Sequence, residues 1–247
     1  MDNNHVITDP KYLITDELKR KGLEISELKM PKKVYLAVTG IVKEFINREV
    51  LDSHIIPLAG GVMTFKGNSN VGLVKSHLGS PGIAIQAEDL IAAGVEELIH
   101  LGFVGGIQSN LEIGGLILTE GAFNDTGIAK LYGYDEQIIY SNEQLTSEIR
   151  SDLLEKNIDI KCGLHWTTDA GYLETWGQVK KYRDQNALCV EMEAVGLFTV
   201  ARYRSVKATA LYVISDVIDE SGWQVGWSAG SVDLGIQKLV GAIIEMT

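Results

Sequence analysis

The sequence predicts an α/β fold: a mixed, mostly parallel sheet with helices on both faces. Three observations point there. Short apolar runs bounded by glycine or proline alternate with segments of helical period along most of the chain, the pattern of strands feeding helices. The chain has 247 residues, 45% of them apolar, enough for a substantial core. No composition break, internal repeat or low-complexity run marks a linker, so residues 1–247 read as one domain, with 1–30 a peripheral N-terminal segment.

Residues 9–29 are polar with a weak helical period and predict a surface helix carrying Asp16, Glu17 and Lys19. Lys33–Thr39 predicts a strand, after which Gly40 opens a helix through Ile41, Phe45 and Ile46. Residues 62–75 alternate loosely around Gly67-Asn-Ser-Asn70, a hairpin signal. Gly79-Ser-Pro-Gly82 leads into an amphipathic helix over 83–93, closed by Gly94 as its C-cap residue. Glu97–Gly102 predicts a short buried strand ending in a glycine loop, and 115–121 predicts another strand. Residues 144–156 predict a helix and 158–163 a strand. A strand ending near Val190, a helix over 192–204, a strand over 208–215 and a helical tail from Val232 to Met246 complete the alternation.

The net charge of −11 and pI near 4.9 disfavour nucleic acid or an anionic membrane as partners, since both need a basic face. Cys162 and Cys189 make neither a disulfide framework nor a zinc pattern and read as core thiols of a reducing compartment. Met1-Asp-Asn-Asn-His5 lacks the basic, apolar character of a signal segment, and no apolar run reaches the roughly 20 residues that span a bilayer. The expected location is cytoplasmic.

Two stretches carry the candidate chemistry. In Val190-Glu-Met-Glu-Ala194, two carboxylates flank a methionine where a buried strand gives way to a helix. Unpaired buried charge is costly, so Glu191 and Glu193 need partners or a task. In Ile214-Ser-Asp216, the acid closes a second apolar strand, at the carboxyl end where open α/β sheets place their crevices. Together the two stretches resemble the paired signatures of the nucleoside phosphorylase superfamily, which holds hexameric purine nucleoside phosphorylases, uridine phosphorylases and some nucleosidases. The likeness runs from about Val34 to Thr247 and is strongest over 166–216. It implies a three-layer α/β/α sandwich with a mixed, partly closed central sheet. The implied activity is cleavage of the N-glycosidic bond of a purine-like nucleoside, a glycosyltransferase reaction of nucleotide salvage.

Such cleavage makes an oxocarbenium-like sugar and an electron-rich base. A protein helps by holding the sugar hydroxyls, protonating the base and positioning a nucleophile. By resemblance, Glu193 holds the ribose 2′- and 3′-hydroxyls, Met192 packs on the sugar, and Glu191 lies near base and sugar. Asp216 matches the aspartate that donates to N7 of a leaving purine, and Ser215 orients it. Trp166-Thr-Thr-Asp-Ala-Gly-Tyr172 resembles the segment that packs aromatic rings on base or sugar, which makes Trp166 and Tyr172 binding residues. Gly171 stands where many members have a bulky side chain, so a roomier base pocket is expected. Blander readings are that Glu193 neutralises the start of the following helix, that Asp216 caps a turn and that Trp166 is core. The resemblance implies no metal or organic cofactor, with phosphate as the possible co-substrate. It also implies a homo-oligomer, dimer or hexamer, in which His5 reaches a neighbour's sugar site.

The likeness is weakest where the family binds phosphate, with a glycine loop after the first strand, an arginine on a middle strand and a hydroxyl three residues later. Here those places hold Gly40, His100 and Phe103, followed by Gly105 and Gly106. A dianion is ordinarily held by guanidinium forks and backbone amides. Phenylalanine offers no hydrogen bond, and a histidine at neutral pH is often uncharged. Thr39, Lys43, Lys75 and the amides of Gly105 and Gly106 are the candidates to compensate. Three readings stay open: phosphorolysis with a rebuilt phosphate site, hydrolysis with Glu44 near the place of a water-activating acid, and a non-catalytic nucleoside-binding relative.

Overall fold

The strands send alternate side chains into two cores, as a two-residue period requires. In β1 (Lys33–Ala37), Val34 and Leu36 enter one core, Tyr35 and Ala37 the other. The computed structural model describes residues 6–228 and 230–247; His5, and with it the expected reach into a neighbour's site, lies outside them. The helices are α1 (Pro10–Arg20), α2 (Thr39–Asn47), α3 (Ser80–Ala92), α4 (Ile128–Leu131), α5 (Glu143–Glu155), α6 (Trp176–Asp184), α7 (Ala194–Arg204) and α8 (Gly230–Glu245). Side chains of α1, α3 and α7 fill the core on one side of the sheet, and those of α2, α5 and α8 fill the other.

The further strands are β2 (Leu51–Ile56), β3 (Val62–Phe65), β4 (Asn68–Lys75), β5 (Glu97–Gly106), β6 (Leu116–Asp125), β7 (Ile138–Tyr140), β8 (Lys161–Thr168), β9 (Cys189–Glu191), β10 (Lys207–Asp219) and β11 (Gly222–Val225). They form one mixed sheet with β5 at its hinge. One edge of β5 pairs with β1 over Glu97–Leu101 and then with β9 at Gly105 and Gly106. The other edge pairs with β10 along its length. Because β9 continues through β8 and β6 back to β10, these five strands close a ring, while β1, β4, β3 and β2 extend as an open sheet. This is the partly closed α/β architecture expected.

Several boundaries differ from the sequence expectation, each for a local reason. The helix expected over 9–29 stops at Arg20, because Gly22 turns the chain with φ of 72° before a single 3-10 turn at Ile25–Glu27. The strand expected to end at Gly102 runs on to Gly106. Its glycines serve close packing: a Cβ on Gly102 would meet His100 at 2.8 Å and Tyr212 at 2.9 Å. The strand placed at 158–163 lies at Lys161–Thr168 instead. α6 was not anticipated, although Thr175 and Gln178 form the capping box that announces it.

Candidate active site

Glu191 ends β9, and its carboxyl is buried among donors. Thr167 donates to Oε1, and Oε2 accepts from the amides of Glu193 and Ala194, both at 2.7 Å, and from the Tyr212 hydroxyl at 3.0 Å. It therefore takes the capping task at the start of α7 that was a bland reading for Glu193. Burial raises its carboxyl above the ordinary range, against the pull of these donors.

That frees the Glu193 side chain, which makes no capping bond to α7. It is 7% exposed and accepts the amide of Gly79, the residue before α3, at 2.6 Å. The next residue, Ser80, donates its hydroxyl to the Met192 carbonyl at 2.9 Å. Two helix starts thus meet at Glu193. Burial, then the neighbouring Glu191 charge, push its carboxyl up to about 7.

Asp216 lies at the same rim. Gly105 of β5 pairs with Val190 on one side and with Asp216 on the other. Two strand spacings therefore separate the signatures, about 10 Å. The β10 register slips between Ile214 and Asp216, leaving Ser215 as the extra residue of a bulge, a device that re-aims side chains beside sites. Asp216 Oδ2 then lies over Gly105, 2.9 Å from where a Cβ would stand, so only glycine fits there. Ser215 donates to Asp216 Oδ1 at 2.6 Å, as expected of an orienting residue, and the Trp223 indole donates to Oδ2 at 2.7 Å.

The acceptor side departs from expectation. His100 is fully buried inside the strand ring, with Nδ1 3.1 Å from the Tyr212 hydroxyl and Nε2 without a partner. Because that hydroxyl donates to Glu191, Nδ1 carries the proton and the ring is neutral. Burial holds it down to about 3. His100 therefore supplies neither charge nor surface to an anion, which corrects its placement in the nucleophile pocket. Phe103 meets Trp227 edge to face at 4.7 Å and lies 3.4 Å from where a Gly40 Cβ would stand. It covers Gly40 in the first turn of α2 instead of lining an anion cradle. Gly105 and Gly106 sit within the sheet and not in a loop. Glu44 is engaged by Arg48 at 2.8 Å.

The aromatic segment divides. Trp166 is wholly buried, stacked on Tyr182 at 4.6 Å, with its indole N–H on Asp125; it is core, and its binding role is corrected. Tyr172 is 96% exposed on the loop before α6 and touches no signature residue through a hydrogen bond. Gly171 is closely approached: its Cβ would stand 3.3 Å from Met192 Sδ, a tight contact, and 3.8 Å from Glu174 Oε1, so the roomier pocket expected there is not seen. Glu174, Trp223 and Tyr212 are site neighbours that the sequence reading missed. Two concavities elsewhere, of about 580 and 840 Å³, are lined by none of Glu191, Met192, Glu193 and Asp216, so the site rests on register and hydrogen bonding.

A mixed sheet closed into a ring at one end, with paired acids at neighbouring strand ends, defines a nucleoside phosphorylase-type α/β protein. The family model of the phosphorylase superfamily matches residues 37–245, and the chain belongs to that superfamily. It is 28% identical over 185 residues to the DeoD-type purine nucleoside phosphorylase of Exiguobacterium sibiricum, covering 71% of this chain and 75% of that one. It is 30% identical over 181 residues to the enzyme of the same name from Bacillus cytotoxicus, covering 72% and 76%. With a guanosine phosphorylase of Halorubrum lacusprofundi it shares 28% identity over 142 residues, 58% and 59% of the two chains. The crystal structure of uridine phosphorylase from Vibrio fischeri matches with a TM-score of 0.72 over 90% of this chain and 93% of that one, at 20% identity, a likeness of fold. No helix among the described residues is long and apolar enough to cross a membrane.

Proposed function

We propose that this chain cleaves the N-glycosidic bond of a purine-like nucleoside. The observation that carries this reading is the register of Val190, Gly105 and Asp216, which brings the two acidic signatures to either side of Gly105. In this reading Met192 packs on the sugar. Glu193 accepts the sugar hydroxyls and stabilises positive charge on the ring, because an anion fixed by a backbone amide costs little reorganisation during reaction. Asp216 addresses the base.

Water suits this site better than phosphate. None of the ion pairs among the described residues involves Glu174, Glu191, Glu193 or Asp216. A phosphate dianion would meet these acids without a paired cation, with His100 neutral and Phe103 over Gly40. The second reading, phosphorolysis with a rebuilt anion site, is favoured by the names of the relatives. Release of free base from inosine, adenosine and guanosine, measured with and without phosphate, separates the two. Base release in phosphate-free buffer, with free ribose as product, supports hydrolysis. Strict phosphate dependence, with ribose 1-phosphate as product, establishes phosphorolysis. Saturable binding without release from any nucleoside removes catalysis altogether.

A further inference from the structure

The base side of the crevice holds an acid that lies outside both signatures. Glu174 stands on the loop between β8 and α6, immediately before Thr175, the N-cap of that helix. It is half-buried and makes no ion pair. Its Oε1 and the Met192 sulfur close on the same point, 3.8 and 3.3 Å from where a Cβ on Gly171 would stand, so the Glu174 carboxyl lies beside the methionine of the first signature. A side chain at 171 would press on the Met192 sulfur; glycine lets Met192 and Glu174 come this close.

Asp216 is differently placed. Both of its oxygens accept hydrogen bonds, from the Ser215 hydroxyl and the Trp223 indole. An indole N–H can only donate, so the oxygen it faces accepts, and the Asp216 side chain is fixed in place by these two partners. Glu174 has no donor fixing it as an acceptor. Burial, and then the Asp216 charge, push its carboxyl up to about 7. A group poised there suits proton transfer near neutral pH.

We infer that Glu174, and not Asp216, delivers the proton to the departing base, with Asp216 as its fixed anionic neighbour. The inference deepens the proposed glycosidic cleavage and rests on it. In the step, the C1′–N bond breaks and its electron pair passes to the base. The Glu174 O–H proton moves to the base nitrogen that gains the charge. The oxygen of water bonds to C1′, a water proton passes to solvent, and Glu174 is reprotonated from solvent. Nucleoside plus water becomes free sugar plus neutral base.

The test compares Glu174→Gln with the unaltered chain on inosine and on 7-methylinosine, whose base already carries positive charge and leaves without a proton. The expected result is a kcat loss of about 100-fold on inosine with KM changed less than about threefold, and kcat on 7-methylinosine within about threefold. The unaltered chain should show an alkaline limb near pH 7 on inosine that is absent on 7-methylinosine. Equal losses on both substrates, or an unchanged inosine rate, overturn the role of Glu174 and leave glycosidic cleavage standing. The limb is read on the unaltered chain, so it decides the matter even if the variant folds poorly: its absence on inosine overturns the inference. No base release by the unaltered chain from either nucleoside, with or without phosphate, overturns the cleavage reading itself.

Discussion

The amide of Gly79 donates to Oε1 of Glu193 at 2.6 Å, tying the start of α3 to the start of α7 across 114 residues of chain. The backbone that aims this amide has φ of 76° and ψ of 160°, a region open essentially to glycine alone. A Cβ there would meet nothing within 4 Å, so a substitution acts through backbone conformation and not through crowding. Gly79→Ala should cost about 1–3 kcal/mol of stability. By turning the amide away from Glu193 it should raise the KM for nucleoside about tenfold, the equivalent of one charge-assisted hydrogen bond of about 1.5 kcal/mol. Steady-state kinetics and a thermal melt read both effects; an unchanged KM removes Gly79 from the support of the sugar-binding acid.

The same two helices touch at Gly196, where an added Cβ would stand 2.4 Å from the Ser80 carbonyl oxygen and 2.7 Å from its Cα. Those are backbone atoms and cannot rotate away. Gly196→Ala should therefore destabilise by about 2–3 kcal/mol, or about 4–10 °C in Tm for a chain of this size. Gly241 in α8 has open space around its missing Cβ, so Gly241→Ala should stabilise by about 0.5–1 kcal/mol. Melts of the two variants measure the contrast, and a Gly196→Ala Tm equal to that of the unaltered chain would mean α3 and α7 are not in this contact.

What could be read in advance depended on whether a residue broke its local pattern. Glu191, Glu193 and Asp216 are charges in apolar runs, and Gly79 before α3 with Pro81 in its first turn marks its start, so both ends of the site were legible. Leu98 to Gly102 of β5 are all buried, so alternation could not say which side chains enter the closed ring. His100 was placed in the crevice by its match to the family's arginine position; ring closure, a pairing between distant strands, turns it inward. The bulge at Ser215 leaves no trace in composition. Glu174 lies in a polar loop where one more acid breaks no pattern, and only its approach to Gly171 beside Met192 makes it distinctive.

Replacing Asp216 by Asn tests the coupling across the base side. Removing the negative charge takes away one of the two causes that raise Glu174 from 4.5 to about 7. Its carboxyl should then titrate lower, and the alkaline limb of base release should move to lower pH. At pH 7 the loss in kcat on inosine should be about tenfold or more, shrinking toward pH 5. A pH–rate profile of Asp216→Asn checks this, and a limb that stays in place would show that the two acids do not sense each other.

Stability against pH should change little over a middle range and steeply below it, because raised carboxyls and buried histidines oppose each other. Glu174 and Glu193 have carboxyls raised from 4.5 to about 7 in the folded chain, so each favours the folded state less as pH rises between those values. His100 and His165 are lowered from 6.5 to about 3 by burial, so each favours the folded state less as pH falls between those values. From pH 6.5 down to 4.5, unfolding takes up protons on the histidines and releases them from Glu174, Glu193 and the likewise raised Glu191, so the two slopes oppose each other. Below 4.5 the carboxyls are protonated in both states and the histidines act alone. The loss should then approach two protons' worth, about 3 kcal/mol per pH unit. Thermal midpoints measured from pH 3.5 to 8 should vary by less than about 4 °C across the middle range and drop sharply below it. A midpoint climbing steadily from pH 4.5 to 6.5 would show that the raised carboxyls do not offset the buried histidines, and with them the acidic character assigned to the crevice would be lost.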